Sequence, residues 1–269
     1  MAQTFRCPFF RKAFGWCVPI GGLGGLIGLG GGEFRLPVLM YAIGFDAKSA
    51  VPLNLLVSLV TLALAMIARN RAVSVAAIVP YLPEVVGLAA GGMISASYGV
   101  RLVRDLTGKR LVQIIGVLLA AIGALMLTEV ARPFTYVVLL PNAPQLHFAV
   151  GFGIGIGIGL VSSMLGVAGG ELLIPALIFI FGVDIKTAGS ASILISLSVV
   201  LIGLWRYRRL GAIPSGRGVR RIVSAMSAGS MIGAVLGGLA VAYAPVDVLK
   251  VLLGCVLIGA AGKTIVSRA

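Results

Sequence analysis

The sequence predicts an all-α polytopic membrane protein made of two inverted-topology repeats. Each repeat reads as a Gly-broken hairpin of half-helices followed by three transmembrane helices. Three observations predict this. Apolar blocks recur along the whole chain, one charged motif occurs twice at a fixed offset, and the strongly basic loops sit at non-equivalent places in the two copies.

The apolar blocks come first. Of 269 residues, 59% are hydrophobic and 11% charged, whereas soluble domains carry about a quarter charged residues. The blocks fall at 13–32, 36–45, 50–68, 72–99, 111–128, 146–182, 187–205, 222–244 and 248–262. Several reach the roughly 20 residues that a helix needs to cross hydrocarbon. Lipid leaves no water for unpaired backbone groups, so the choice is helices or a closed barrel. A barrel strand alternates apolar and polar residues, and these blocks do not.

The net charge of +14 does not point to nucleic acid, because the basic residues sit in short connections. They group as Arg6, Arg11 and Lys12; as Arg101, Arg104, Lys109 and Arg110; and as Arg206, Arg208, Arg209, Arg217, Arg220 and Arg221. Lys and Arg beside spans mark the cytoplasmic side. The bilayer is therefore the expected partner and nucleic acid is not. The N-terminal basic stretch and the apolar run after it resemble a signal peptide, but no A-x-A-like site closes them; they read as a retained first membrane element. Cys7, Cys17 and Cys255 form no CxxC and no metal-ligand spacing, so neither a disulfide framework nor a metal is expected. No cofactor is expected either. The GxGxGxG run at 153–159 lies in a membrane block with no preceding strand, which argues against a dinucleotide site.

The repeat comes next. LGGGEFRLPVLMYAIGFDAKSA at 29–50 meets VAGGELLIPALIFIFGVDIKTA at 167–188 when the chain is shifted by 138 residues. Residues 30–59 and 168–197 share 12 identities in 30 without a gap, among them Glu33/Glu171, Pro37/Pro175, Asp46/Asp184 and Lys48/Lys186. The same offset pairs Gly91, Met93, Ile94, Ala96 and Gly99 with Gly229, Met231, Ile232, Ala234 and Gly237. It then pairs Leu111, Gly116 and Leu119 with Leu249, Gly254 and Leu257. A fixed offset across a hundred residues indicates two homologous repeats, 1–128 and 146–269, joined by a Pro-containing linker at 129–145.

Their orientation follows from the arginines. The loop after the second block carries Arg69 and Arg71 in the first copy and six arginines (206–221) in the second. The next loop carries four basic residues in the first copy, while its counterpart near 239–249 lacks such a cluster. Equivalent loops then lie on opposite sides, as in many secondary transporters. Inversion needs an odd number of crossings, supplied by spans at about 47–68, 76–99 and 110–128, and again at about 187–205, 222–244 and 248–266. The hairpins 14–45 and 146–182 must return to the side they leave, which favours two half-helices meeting at the glycines. Lys263 and Arg268 place the C-terminus, like the N-terminus, in the cytoplasm.

Most glycines in such a chain serve close helix packing. Gly30, Gly31 and Gly32, and likewise Gly169 and Gly170, differ in being consecutive and followed at a fixed distance by proline, which favours a break. A helix N-terminus exposed there would bind an anion through its N–H groups. Glu33 and Glu171 either satisfy those groups as first-turn carboxylates or, as intramembrane ionisable groups, mark a coupling site. A protonated carboxylate would admit an anion that an ionised one repels. Asp46 and Asp184 read as helix N-caps, and Lys48 and Lys186 as side chains snorkelling to headgroups. Arg35, which faces Leu173 in the second copy, is either an oxyanion-selecting cation or an interfacial residue. Asn54 and Ser58, repeated as Ser192 and Ser196, either join helices or line a site. His147, the sole histidine, reads as incidental.

The motif GGGEFRLPVLMYAIGFDAKSA and its echo AGGELLIPALIFIFGVDIKTAGSAS resemble the TauE/SafE sulfite exporter-like permeases over nearly the whole chain. That resemblance implies transport of small sulfur-containing anions such as sulfite, sulfoacetate or other organosulfonates across the bacterial cytoplasmic (inner) membrane. The first copy departs from the family's small polar run, with Val51-Pro52-Leu53-Asn54 where the second has Gly189-Ser190-Ala191-Ser192. The leading expectation is a secondary transporter with protons as coupling ion, working by alternating access around a midplane anion site, and not an enzyme. A carrier of another small carboxylate or inorganic anion and an anion channel are the competing readings. A homo-oligomer is compatible with the sequence.

Overall fold

The computed structural model describes residues 7–102, 109–131, 141 and 143–266. Most of the expected linker, Arg6, Arg104 and Arg268 lie outside the described residues, and the side chains of Arg101, Lys109, Arg110 and Lys263 lie outside them too. The described chain is helical, with no strand. Helix α1 (Cys7–Leu23) runs on into a π turn at Gly24–Gly28. After the break come α2 (Gly32–Pro37), a second π turn at Val38–Ala42, and α3 (Ala47–Arg69). A 3₁₀ segment at Val75–Tyr81 leads into α4 (Leu82–Leu102), then α5 (Lys109–Ala131). The second half comprises α6 (Pro144–Leu165), α7 (Gly170–Phe179), α8 (Ile185–Arg209), α9 (Arg217–Ala240) and α10 (Val246–Val266).

Five helices among the described residues are long and apolar enough to cross a membrane: Lys48–Arg69, Val75–Ser97, Pro144–Ser162, Ile185–Arg209 and Arg217–Ala240. The protein is a multi-pass membrane protein. Two expectations change. First, the arms before the glycine breaks are not half-helices. Residues 7–28 form one continuous helical arm, and α6 is 22 residues long, so each hairpin joins a long arm to a short one. The run at 153–159 does not break α6, because alternate glycines face different surroundings. Gly151, Gly155 and Gly159 lie against the backbone of α4 at Glu84, Leu88 and Gly92, while Gly153 and Gly157 have no neighbour where a Cβ would stand. Second, the span expected from 76 is α-helical only from Leu82, after a 3₁₀ entry containing Pro80.

Packing repeats with the halves exchanged. Helix α1 with its π turn lies on α9 and α6 lies on α4, each through glycines in direct backbone contact: Gly21 and Gly25 with Ser230 and Ala234, and Gly87 and Gly91 with Phe148 and Phe152. Helix α3 packs on α9 as α8 packs on α4, α3 and α8 meet in the middle, and α5 and α10 pair at one side. Small residues at these seams let the backbones approach closely, which is how helices associate where both the solvent and the side chains are apolar.

Candidate functional site

The chain leaves the helix at Leu29–Gly31 and at Gly166–Gly169. Gly31 (φ 71°) and Gly169 (φ 81°) are the left-handed residues that start α2 and α7. Gly28 (φ 103°) and Gly166 (φ 70°) are left-handed at the ends of the preceding arms. These are the same positions 138 residues apart, and a side chain there would cost about 1–2 kcal/mol. The breaks predicted from consecutive glycines are therefore present, and each requires glycine.

The two breaks touch. A Cβ on Gly170 would stand 2.9 Å from Leu29 Cα, and one on Gly28 would fall on the backbone of Gly189. Two buried side chains tie them together in a reciprocal way. Asn54 on α3 donates from Nδ2 to Gly32 O and to Gly166 O, both at 3.0 Å. Ser192 on α8, at the equivalent position, donates to Gly28 O at 2.7 Å. Each half thus holds the last carbonyl of the other half's arm, and Ser196 holds Ala168 O within its own half at 3.1 Å.

Arg35 lies at the centre of the first-half site, fully buried, so the interfacial alternative fails. Its five N–H groups meet five neutral oxygens. Nη2 donates to Gly30 O at 2.6 Å and Ser58 Oγ at 2.7 Å; Nη1 to Thr61 Oγ1 at 2.7 Å and Ser230 Oγ at 3.1 Å; Nε to Asn54 Oδ1 at 3.4 Å. A buried charge is tolerable only with such full hydrogen bonding. Thr61 and Ser230 escaped the sequence reading. Thr61 continues the Asn54/Ser58 stripe by one further turn, a signal that could have found it; Ser230, one among many small residues of α9, offered none.

A second buried cation also went unrecognised. Arg69 was read as a loop residue, but it ends α3 and is 1% exposed. It donates to Gly25 O at 3.0 Å, Leu26 O at 2.6 Å, Lys186 O at 2.8 Å and Ser190 Oγ at 3.1 Å. It satisfies carbonyls that the π turn leaves without i+4 partners, so its charge is structural.

Neither arginine has a counterpart. Leu173 stands at the position equivalent to Arg35, and Val199, Gly92 and Ala168 stand where Arg35's partners Thr61, Ser230 and Gly30 would be. These four residues line a small apolar cavity of about 10 Å³. Tyr207 stands at the position of Arg69 and borders an adjoining cavity of about 30 Å³ with Val51, Leu55, Gly166 and Val167. Ser162 lines both cavities, and its buried Oγ has no hydrogen-bond partner among the described residues. The space admits a water or two, and the breaks must part to admit anything larger.

The remaining candidates are placed as follows. Glu33 and Glu171 are buried in the first turns of α2 and α7. Asp184 caps α8 by accepting from the N–H groups of Lys186 and Thr187, both at 3.0 Å. Asp46 occupies the cap position of α3, with its carboxylate interacting with Ser49 in the first turn. Lys48 is exposed, and Lys186 Nζ reaches Ala242 O at 3.4 Å. His147 is not incidental: its ring contacts the buried carboxylate of Glu84. Cys17 and Cys255 are free, and no cluster able to hold a metal occurs among the described residues.

Residues 151–269 match the family model Sulfite exporter TauE/SafE, which supports the family that the repeated motif resembles. No curated protein and no solved structure matches the chain.

Proposed function

We propose, from a multi-pass chain whose second half matches the TauE/SafE transporter family, that the protein is a secondary transporter of small sulfur-containing anions: sulfite, sulfoacetate or other organosulfonates. It resides in the bacterial cytoplasmic membrane with both termini inside. Residues 1–128 and 146–269 act as inverted repeats. Their two breaks, Gly30–Gly32 with Arg35, Asn54 and Ser58, and Gly169–Gly170 with Ser192 and Ser196, form a single anion site that opens alternately to either face.

The observation that carries this reading is the Arg35 guanidinium, buried beside the first break, with five neutral oxygens in hydrogen-bond reach and the Glu33 carboxylate within electrostatic range. Its charge favours an anion at that depth, where the low dielectric strengthens attraction. An anion entering between the breaks would take up the donors of Asn54, Ser192 and Ser196, which at present hold backbone carbonyls, and the hydroxyl of Ser58, which at present accepts from Arg35. Glu33 and Glu171, buried beside the breaks, couple protonation to anion entry: ionised they repel the substrate, protonated they admit it.

Flux of labelled sulfite and of a sulfonate into proteoliposomes, with and without an imposed pH gradient, tests this. Saturable flux of either, competed by sulfonates more than by simple carboxylates, is the expected result. Flux that prefers carboxylates points to a carrier of another anion class, and flux without saturation or counterflow points to a channel. Glu33→Gln and Glu171→Gln should retain binding and lose the response to the gradient.

A further inference from the structure

Glu84 and His147 lie away from the two breaks and have no counterpart in the other half, where the equivalent positions are Ile222 and Phe9. Glu84 is 4% exposed, in the first turn of α4. His147 is in the first turn of α6, the helix that packs along α4. His147 Nδ1 contacts Glu84 Oε1, and Nε2 lies 3.1 Å from Pro141 O. The ring sits at 6.0 Å from that of Phe181, tilted by 49°.

The geometry counts protons. A backbone carbonyl only accepts, so Nε2 must carry a hydrogen to meet Pro141. A neutral imidazole has one N–H, which would leave Nδ1 bare against a carboxylate oxygen, two lone pairs face to face. The contact is made only if a further proton lies between Nδ1 and Oε1, whichever atom it rides on. The pair then holds two protons where a separate neutral histidine and carboxylate hold one. The second oxygen of Glu84 is buried without a partner among the described residues, so no other described group offsets the carboxylate charge. The other ionisable groups on the elements packed around the pair are Tyr81 on the 3₁₀ entry, and Asp184, Lys186, Arg206, Tyr207, Arg208 and Arg209 on or capping α8. None of them forms a hydrogen bond or ion pair with Glu84 or His147 among the described residues.

We propose that Glu84 and His147 form a proton-binding site that clamps the start of α4 to the start of α6. Loss of the shared proton turns the contact repulsive and loosens the arm that leads to the second break. The site therefore adds a further pH dependence to transport from one half of the molecule, beside that of Glu33 and Glu171. Only this last step rests on the transporter reading.

His147 is the only histidine, so the full chain, purified without a histidine tag and labelled with ¹⁵N-histidine in lipid, reports on this ring alone. At neutral pH the ring should show no bare nitrogen in the wild type, either two N–H signals or one N–H and one shared proton. In Glu84→Gln a bare ring nitrogen should appear. A bare nitrogen in the wild type, or unchanged spectra in Glu84→Gln, overturns the proposal; if Glu84→Gln does not fold, the wild-type spectrum decides alone. In proteoliposomes, His147→Gln and Glu84→Gln should change the shape of the pH profile of flux while the response to an imposed gradient persists, and an unchanged profile in both overturns the coupling. Absence of any wild-type flux would count against the transporter reading and leave the spectra to decide on the site.

Discussion

At the scale of single residues, the two buried arginines separate by what they touch. Arg69 serves three backbone carbonyls and one hydroxyl, and the carbonyls cannot turn away to find other donors. Arg69→Met should therefore destabilise by several kcal/mol, since each buried acceptor left without a donor costs about 1–3 kcal/mol, and its thermal unfolding should show it whether or not substrate is present. Arg35 serves three side-chain hydroxyls, an amide oxygen and only one carbonyl. Hydroxyls rotate to other acceptors, so Arg35→Met should lose less stability but abolish anion flux. Arg35→Lys keeps the charge while offering three donors in place of five, and it should retain measurable flux with weaker substrate affinity. Equal loss of flux in Arg35→Met and Arg35→Lys would show that the fork of hydrogen bonds matters and the charge does not. Arg35 could be singled out from the sequence because a lone cation stood where its repeat has Leu173. Arg69 could not, because an arginine at the end of an apolar block looks the same whether it turns to headgroups or inward to carbonyls.

At the scale of elements, the glycines divide into those that bend the chain and those that let helices touch, and the sequence distinguishes the first kind better. Consecutive glycines followed by proline located both breaks, while GxGxGxG in α6 proved to be a packing seam on one side and open on the other. This gives a paired test. Gly169→Ala forces a side chain into a left-handed residue and against Ser162, and should destabilise by about 1–3 kcal/mol. Gly153→Ala on the open face of α6 meets nothing and gains helix propensity, and should be neutral or stabilising by up to about 1 kcal/mol. Thermal melts of the two variants in the same detergent check the contrast; similar melting for both would mean that the left-handed turn is not a constraint. The arms before the breaks proved longer than the sequence suggested, because the apolar blocks at 13–32 and 146–182 merge arm, break and short helix into one signal. Hydropathy records burial, not where a helix stops.

At the scale of the whole molecule, the halves share elements and contacts, yet their centres differ: a guanidinium held by oxygens in the first, and two small apolar cavities around Leu173 and Tyr207 in the second. The half with arginines is cross-braced to its partner half through Ser230, Lys186 and Ser190, and the half with cavities has room to repack. The repeat itself was legible because charged and proline positions kept their spacing through 138 residues. The orientation proposed for it rests on the arginines at 206–221, whose number favours the cytoplasmic side. Ala77, in the 3₁₀ entry to α4, and Ser215, in the turn before α9, are equivalent positions and both exposed. With the three native cysteines replaced, Ala77→Cys and Ser215→Cys can each be offered a membrane-impermeant maleimide in sealed vesicles of known orientation. Inverted repeats require the two sites to react from opposite sides, with Ser215→Cys accessible from the cytoplasmic face beside the arginines. Reaction of both from one side would mean that the halves run parallel, and a site shared between two breaks of opposite orientation would then have to be abandoned.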